Sequence, residues 1–183
     1  MNLKSEMTIK ANIDTFVLAE WVDEAGKEIA MLREYVKTGR KSILSALKKT
    51  GALIEHLHRH NLITTAGRTV LARRIAGNTT YTGAINYGLL GTQASPVPAN
   101  SSTQLGTEVF RKLAASQTFD NNIAYVDFFY TAGDTNGTYT EFGNVIDGTA
   151  TVNTGQLFSY VATGGWVKSN AQSLFVSCKY TVS

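Results

Sequence analysis

With 183 residues, the chain has room for one domain, or one domain and an arm, and can bury a sizeable core without covalent staples. Its single cysteine, Cys178, excludes an intrachain disulfide; no stretch is long and apolar enough to span a membrane, and Met1-Asn2-Leu3-Lys4-Ser5-Glu6 lacks the apolar core of a signal peptide, so folding in a cytoplasm is expected. The net charge of +3 conceals an asymmetry: residues 1–77 carry 13 Lys and Arg against 8 Asp and Glu, and the remainder 4 against 6. A modestly basic leading part can meet nucleic acid or an acidic surface. Here Glu28, Glu34 and Glu55 interleave with the basic residues, a solvated helix face explains them as well, and nucleic acid is not an expected partner.

Residues 14–50 carry a helical signal. Leu18, Val22, Ala25, Ile29, Leu32 and Val36 step by three or four residues, which places them on one stripe. Gly39 interrupts the run, Ile43, Leu44 and Leu47 continue it, and Gly51 is a stop signal. The competing pattern is a hairpin, Phe16–Val22 with Ile29–Tyr35, turning at Asp23-Glu24-Ala25-Gly26. Residues 52–63 fit neither period. A short helix, Thr65–Ala76, has Val70, Leu71 and Ile75 on its apolar side.

From about residue 80 the pattern changes to strands: Ala84–Leu90, Glu108–Ala115, Asn122–Tyr130, Tyr139–Phe142, Gln156–Ala162 and Ser173–Val182. In the last, Leu174, Val176, Cys178, Tyr180 and Val182 alternate with Phe175, Ser177, Lys179 and Thr181, the mark of a strand with one wet face and a buried thiol. Ile123–Tyr130 is apolar on both parities apart from Asp127 and suits a strand covered on both sides. Asp134-Thr135-Asn136-Gly137 has the composition of a hairpin turn. The expected fold class is α+β: a mainly helical N-terminal arm over residues 1–60, then an antiparallel β-sandwich, jelly-roll-like, over residues 61–183 with one short leading helix at 65–76.

Chemistry-bearing residues are few. His56, His58 and His60 fall at alternate positions, so on a strand the three imidazoles share one face, a workable metal-ligand arrangement. No Cys is near and Glu55 has the opposite parity; a polar surface segment explains the triplet more simply, and no metal and no cofactor are expected. No nucleophile elbow, phosphate-binding loop or zinc-protease helix occurs. Glu108 and Glu141 are the only carboxylates that suit a hydrolase pair, and neither has an activating neighbour. Arg111 can instead reach a carboxylate on a neighbouring strand, with Glu141 the candidate, in a bidentate pair that fixes register. Two solvated charges are the simpler alternative.

Several short motifs recur in order. Asn61-Leu62-Ile63-Thr64-Thr65-Ala66-Gly67-Arg68 leads the short helix; Ile85-Asn86-Tyr87-Gly88-Leu89-Leu90-Gly91-Thr92 follows. After a loop rich in Ser, Pro and Thr come Leu105-Gly106-Thr107-Glu108-Val109-Phe110-Arg111 and then Thr140-Glu141-Phe142-Gly143. Over residues 61–183 this layout resembles the tail, collar and tail-fibre-adaptor structural proteins of tailed bacteriophages. Phe142 departs from the family's usual Ile or Ala, and residues 1–60 match none of its pattern.

The resemblance implies no enzymatic activity and a role in the virion, assembled in the bacterial host cytoplasm, in tail, neck, collar or baseplate. It implies copies of the chain in a symmetric ring or cluster, docked on other virion structural proteins, with no membrane partner. Glu108, Arg111, Glu141 and Gly143 are then structural motif residues. Leu18, Val22, Ile29, Leu32 and Val36 of the arm are the candidate interface anchors, and Tyr81, Tyr87 and Trp166 are further interface candidates. The alternatives are a receptor- or carbohydrate-binding module at a tail fibre tip and, more remotely, a cell-wall hydrolase.

Overall fold

The computed structural model describes residues 7–183; Met1–Glu6 lie outside them. The elements run β1 (Ile9–Ala19), α1 (Lys27–Thr38), α2 (Lys41–Lys49), β2 (Leu53–His60), β3 (Leu62–Ile63), α3 (Thr65–Ile75), β4 (Ile85–Gly91), β5 (Glu108–Leu113), β6 (Ser116–Asp120), β7 (Ile123–Tyr130), β8 (Gly137–Ile146), β9 (Gln156–Lys168) and β10 (Gln172–Val182). They build two five-stranded sheets, β2-β1-β10-β7-β6 and β3-β9-β8-β4-β5, with every pairing antiparallel. Between the sheets, Ile13, Val17, Phe128 and Val176 of the first meet Leu90, Phe142, Val161 and Trp166 of the second. The Phe128 ring of the first sheet and the Phe142 ring of the second lie 6.0 Å apart, edge to face, a contact that joins the two layers.

The helical arm expected over residues 1–60 is not what the chain builds. Residues 9–19 are a strand inside the first sheet, bonded to β10 on one side and β2 on the other. Ala11, Ile13 and Val17 face the intersheet core, while Phe16 and Leu18 face the opposite way into a second cluster. A strand covered on both faces loses its period of two. That left the chance spacing of Leu18 and Val22 as the visible pattern. The competing hairpin also fails, because the partners of β1 are β2 and β10 and residues 29–35 are helical.

Helical spacing is genuine only from Ile29 onward. Ile29, Leu32 and Val36 of α1, with Ile43 and Leu47 of α2, press on Phe16, Leu18, Phe129 and Phe175 of the first sheet's outer face. Burial of each such side chain is worth roughly 1.5–3 kcal/mol. Gly26, which interrupts the sequence pattern, is the N-cap of α1, and Gly39 ends it at φ 70°, a conformation that needs glycine. The same two helices cover β10, so the expected wet face of that strand is dry: Phe175 and Ser177 are buried.

The Asp134–Gly137 turn is also not a hairpin. β7 belongs to the first sheet and β8 to the second, so the segment crosses the sandwich. A tight hairpin forms instead at β6–β7, closed by Asn121 at φ 52° and Asn122.

The short helix α3 forms where expected. Thr64 is its N-cap, accepting from the Gly67 amide at 3.1 Å, and its hydroxyl donates to the Leu157 carbonyl. Gly67 sits against β9, where an added Cβ would stand 2.8 Å from the Phe158 carbonyl oxygen and 2.9 Å from its Cα. Backbone cannot yield as a side-chain tip does. Gly67→Ala is therefore expected to lower stability by about 1–3 kcal/mol, read as a reduced denaturation midpoint.

Candidate functional site

The motif residues converge on the outer face of the second sheet, where two loops lie over Leu89, Val145, Leu157 and Tyr160. Each loop is held by one buried carboxylate. Glu141, on β8, is 0% exposed. Its Oε1 accepts from the Gly106 amide at 2.8 Å and from the Tyr160 hydroxyl; its Oε2 accepts from the Thr107 amide at 3.0 Å and the Gln93 amide at 3.2 Å. Gln93 and Thr107 stand at opposite ends of the loop after β4, and the Thr92 amide donates to the Thr107 carbonyl at 2.9 Å. One side chain thus closes the loop that carries both prolines. Leu105, 1% exposed, inserts beneath it, and Gly143 leaves the space: a Cβ there would lie 2.9 Å from Leu105 Cδ2.

Glu108 and Arg111 hold the second loop. Arg111 donates to Glu108 through Nε at 2.6 Å and Nη2 at 2.8 Å, a bidentate pair with side-chain exposures of 3% and 1%. Its remaining Nη1 donates to the Thr149 carbonyl at 2.8 Å and the Thr154 hydroxyl at 2.9 Å. Glu108 also accepts from the Asn153 amide at 3.0 Å. The expected Arg111–Glu141 pair is therefore corrected; a regular strand would set residues 108 and 111 on opposite faces. Gly91 pairs with Glu108 and Leu90 with Phe110, so Val109 is an extra residue. That bulge shifts the parity and turns residues 108 and 111 to one face.

Burial alone raises the Glu141 pKa, but the Tyr160 hydroxyl and the three backbone amides outweigh it and hold the carboxyl below its usual range. The same carboxylate, with burial, raises the Tyr160 phenol well above its usual value. Asp134 is likewise lowered overall, since Lys112 at 2.5 Å and the Thr131 amide at 2.7 Å overcome its desolvation. A folded-state pKa below the unfolded value means that the unfolded chain binds more protons as the pH falls. The stabilisation is complete above the ordinary carboxylate range and disappears as the pH drops through the folded values. Denaturation midpoints measured from pH 7 to pH 3 are expected to fall, and the fall should be shallower in Glu141→Gln.

The three histidines do share one face of β2, as alternation requires, but one ring nitrogen of each is already engaged. His56 Nε2 donates to Asp14 Oδ1 at 2.7 Å, His58 Nδ1 to the same oxygen at 3.1 Å, and His60 Nδ1 to Asn12 Oδ1 at 2.6 Å. His56 also stacks on Phe16 at 4.8 Å. Among the described residues, no group of three or more His, Cys, Asp or Glu is placed to hold a metal ion. A polar row continues across the first sheet from Asp14 through Ser177 to Asp127. Asp127 accepts from Ser177 Oγ at 2.6 Å and Arg33 Nε at 2.8 Å, which pins α1 to the sheet. Asp127, alone among apolar residues in its strand, was the sequence signal for that pin; Arg33 gave none.

The arm anchors expected to meet a neighbour are inside this chain. Leu18, Val22, Ile29, Leu32 and Val36 are 0–6% exposed in one cluster and offer no surface to a partner. Trp166 is buried, and Tyr81 and Tyr87 are half-buried against Arg73 and Arg111. Exposed apolar side chains include Val97 and Val152 on the two clamped loops and Val109, Leu113 and Phe119 on β5 and β6, with Trp21, Ile54, Ile75 and Val167 elsewhere. Among the described residues no helix is long and apolar enough to cross a membrane. Comparison with protein-family models, with curated proteins and with solved structures finds no match for this chain.

Proposed function

We propose that this chain is a non-enzymatic structural component of a tailed-phage virion. It acts in the tail, neck, collar or baseplate, in several copies, and docks or adapts neighbouring virion proteins. The observation that carries this reading is the use made of the two motif carboxylates. Glu141 binds three backbone amides and a tyrosine hydroxyl, and Glu108 binds Arg111 and a backbone amide. Both carboxylates fix surface loops, which is work suited to a docking scaffold. The order of motifs from Asn61 to Gly143 adds the phage resemblance. Gly67, Thr64, Glu108, Arg111, Glu141 and Gly143 each serve packing, capping or loop closure.

The reading is tested on particles of the phage that encodes the chain. The protein is expected to co-purify with them through a density gradient in more than one copy per particle. Its absence from intact particles overturns the proposal.

A further inference from the structure

The two sides of the sandwich are built differently. On one side the edge strand is β2, which carries Glu55, Arg59 and the three histidines and is broken by a bulge opposite Val17 and Leu18. Its counterpart β3 is only two residues long. Charge, bulges and brevity are the devices that stop an edge from pairing with another chain. On the other side lie β5 and β6, the edges of the second and first sheets, joined by Ala114 and Ala115.

There β5 carries the Val109 bulge, whereas β6, five residues long, runs without a bulge. β6 has neither Pro nor Lys, and its one charge, Asp120, sits at the hairpin end. On β5 both cations are occupied, Arg111 by Glu108 and Lys112 by Asp134. Phe119, opposite Ala124, stands on the inner face of the first sheet beyond the cover of the second, beside a shallow cleft of about 250 Å³, and is 82% exposed. Val109 and Leu113 extend the apolar side along β5 at 43% and 59% exposed.

We propose that the open β5–β6 side binds a second copy of this chain, through antiparallel pairing of β6 with β6 about a two-fold axis at Thr118. The β6 sequence is self-complementary in that register. Thr118 meets its own copy, a favourable cross-strand pair. Gln117, whose amide donates to the Ile85 carbonyl, lies opposite the second copy's Phe119 and offers its aliphatic stem to the ring, and Ser116 lies opposite Asp120, where its hydroxyl can donate to the carboxylate. No charge meets a like charge. The contact is isologous and therefore closes. The proposal deepens the multi-copy reading and rests on it.

Sedimentation of the wild-type chain over a range of concentrations tests the association, with two variants that probe its geometry. Phe119→Lys changes an exposed side chain, so the fold is retained, and it is expected to weaken self-association by about tenfold or more. Thr118→Cys places two thiols directly opposite, with Cβ atoms about 4.5–5.5 Å apart, close to disulfide reach. Mild oxidation should link it into dimers faster than Ser116→Cys, whose thiols are out of register; Cys178 is buried and does not compete. Unchanged association of Phe119→Lys, or equal cross-linking of the two cysteine variants, overturns the interface and leaves the multi-copy reading standing. A wild-type chain that stays monomeric at every concentration overturns the second copy as occupant, whatever else the edge binds. Absence from particles is the separate result that removes the virion reading.

Discussion

Glu141→Ala is expected to destabilise the protein by about 3–5 kcal/mol, one of the two largest effects in the motif region. The substitution removes the acceptor of three backbone amides and the Tyr160 hydroxyl together. Hydrogen bonds to a charged acceptor are individually the strong ones, and here one side chain makes all of them. The loss has a local signature as well. Amide exchange at Gly106 and Thr107 should accelerate far more than at Val176 in the central strand β10, because the loop is released before the sheets separate. Glu141→Gln keeps the shape and part of the acceptor capacity, so it should fall between wild type and Ala. A denaturation midpoint for Glu141→Ala within experimental scatter of wild type, with unchanged exchange at Gly106, contradicts the clamp.

The second large effect belongs to Arg111. Arg111→Met leaves the Glu108 carboxylate, 1% exposed, without its counter-charge, and breaking a buried pair from one side costs about 3–5 kcal/mol. It also leaves the Thr149 carbonyl with only the Thr154 hydroxyl, at 3.5 Å, as a donor. Arg111→Lys keeps the charge but cannot supply the planar fork that reaches Glu108 and the 149–154 loop at once, so it should recover only part of the loss. The double variant Glu108→Gln with Arg111→Met removes both charges and should be more stable than Arg111→Met alone. Urea denaturation of wild type, Glu108→Gln, Arg111→Met and the double variant forms a double-mutant cycle. Additive losses would show that the pair is not coupled, contrary to the bidentate geometry.

Much of the second half of the chain was legible because its physics is local. β7, β9 and β10 stand where the apolar runs end at turn residues, and α3 covers the segment expected to be helical, Thr65–Ala76. The first sixty residues were misleading for one reason. β1 is covered by the second sheet on one face and by α1 and α2 on the other, so its pattern is neither alternating nor helical. What covers a strand is a tertiary fact. The site shows the same division. Glu108, Arg111, Glu141 and Gly143 could be singled out, but their partners could not, since the Val109 bulge decides which face Glu108 and Arg111 share. The true partners of Glu141 are mostly backbone amides, which carry no sequence signal. Likewise, nothing local marked Asp134–Gly137 as a crossing between sheets, because a turn's composition does not record which strand its neighbour pairs with.

The central claim, that this chain is a structural part of a tailed-phage particle, is tested most directly by imaging particles that carry a tag at the C-terminal Ser183. Thr8 and Ser183 bond to one another at the exposed end of β1 and β10, so a tag there begins at the surface. The account predicts added density at a defined, repeated position on the tail, neck, collar or baseplate. Tagged protein that is made in the host but leaves no density on complete, infectious particles contradicts it.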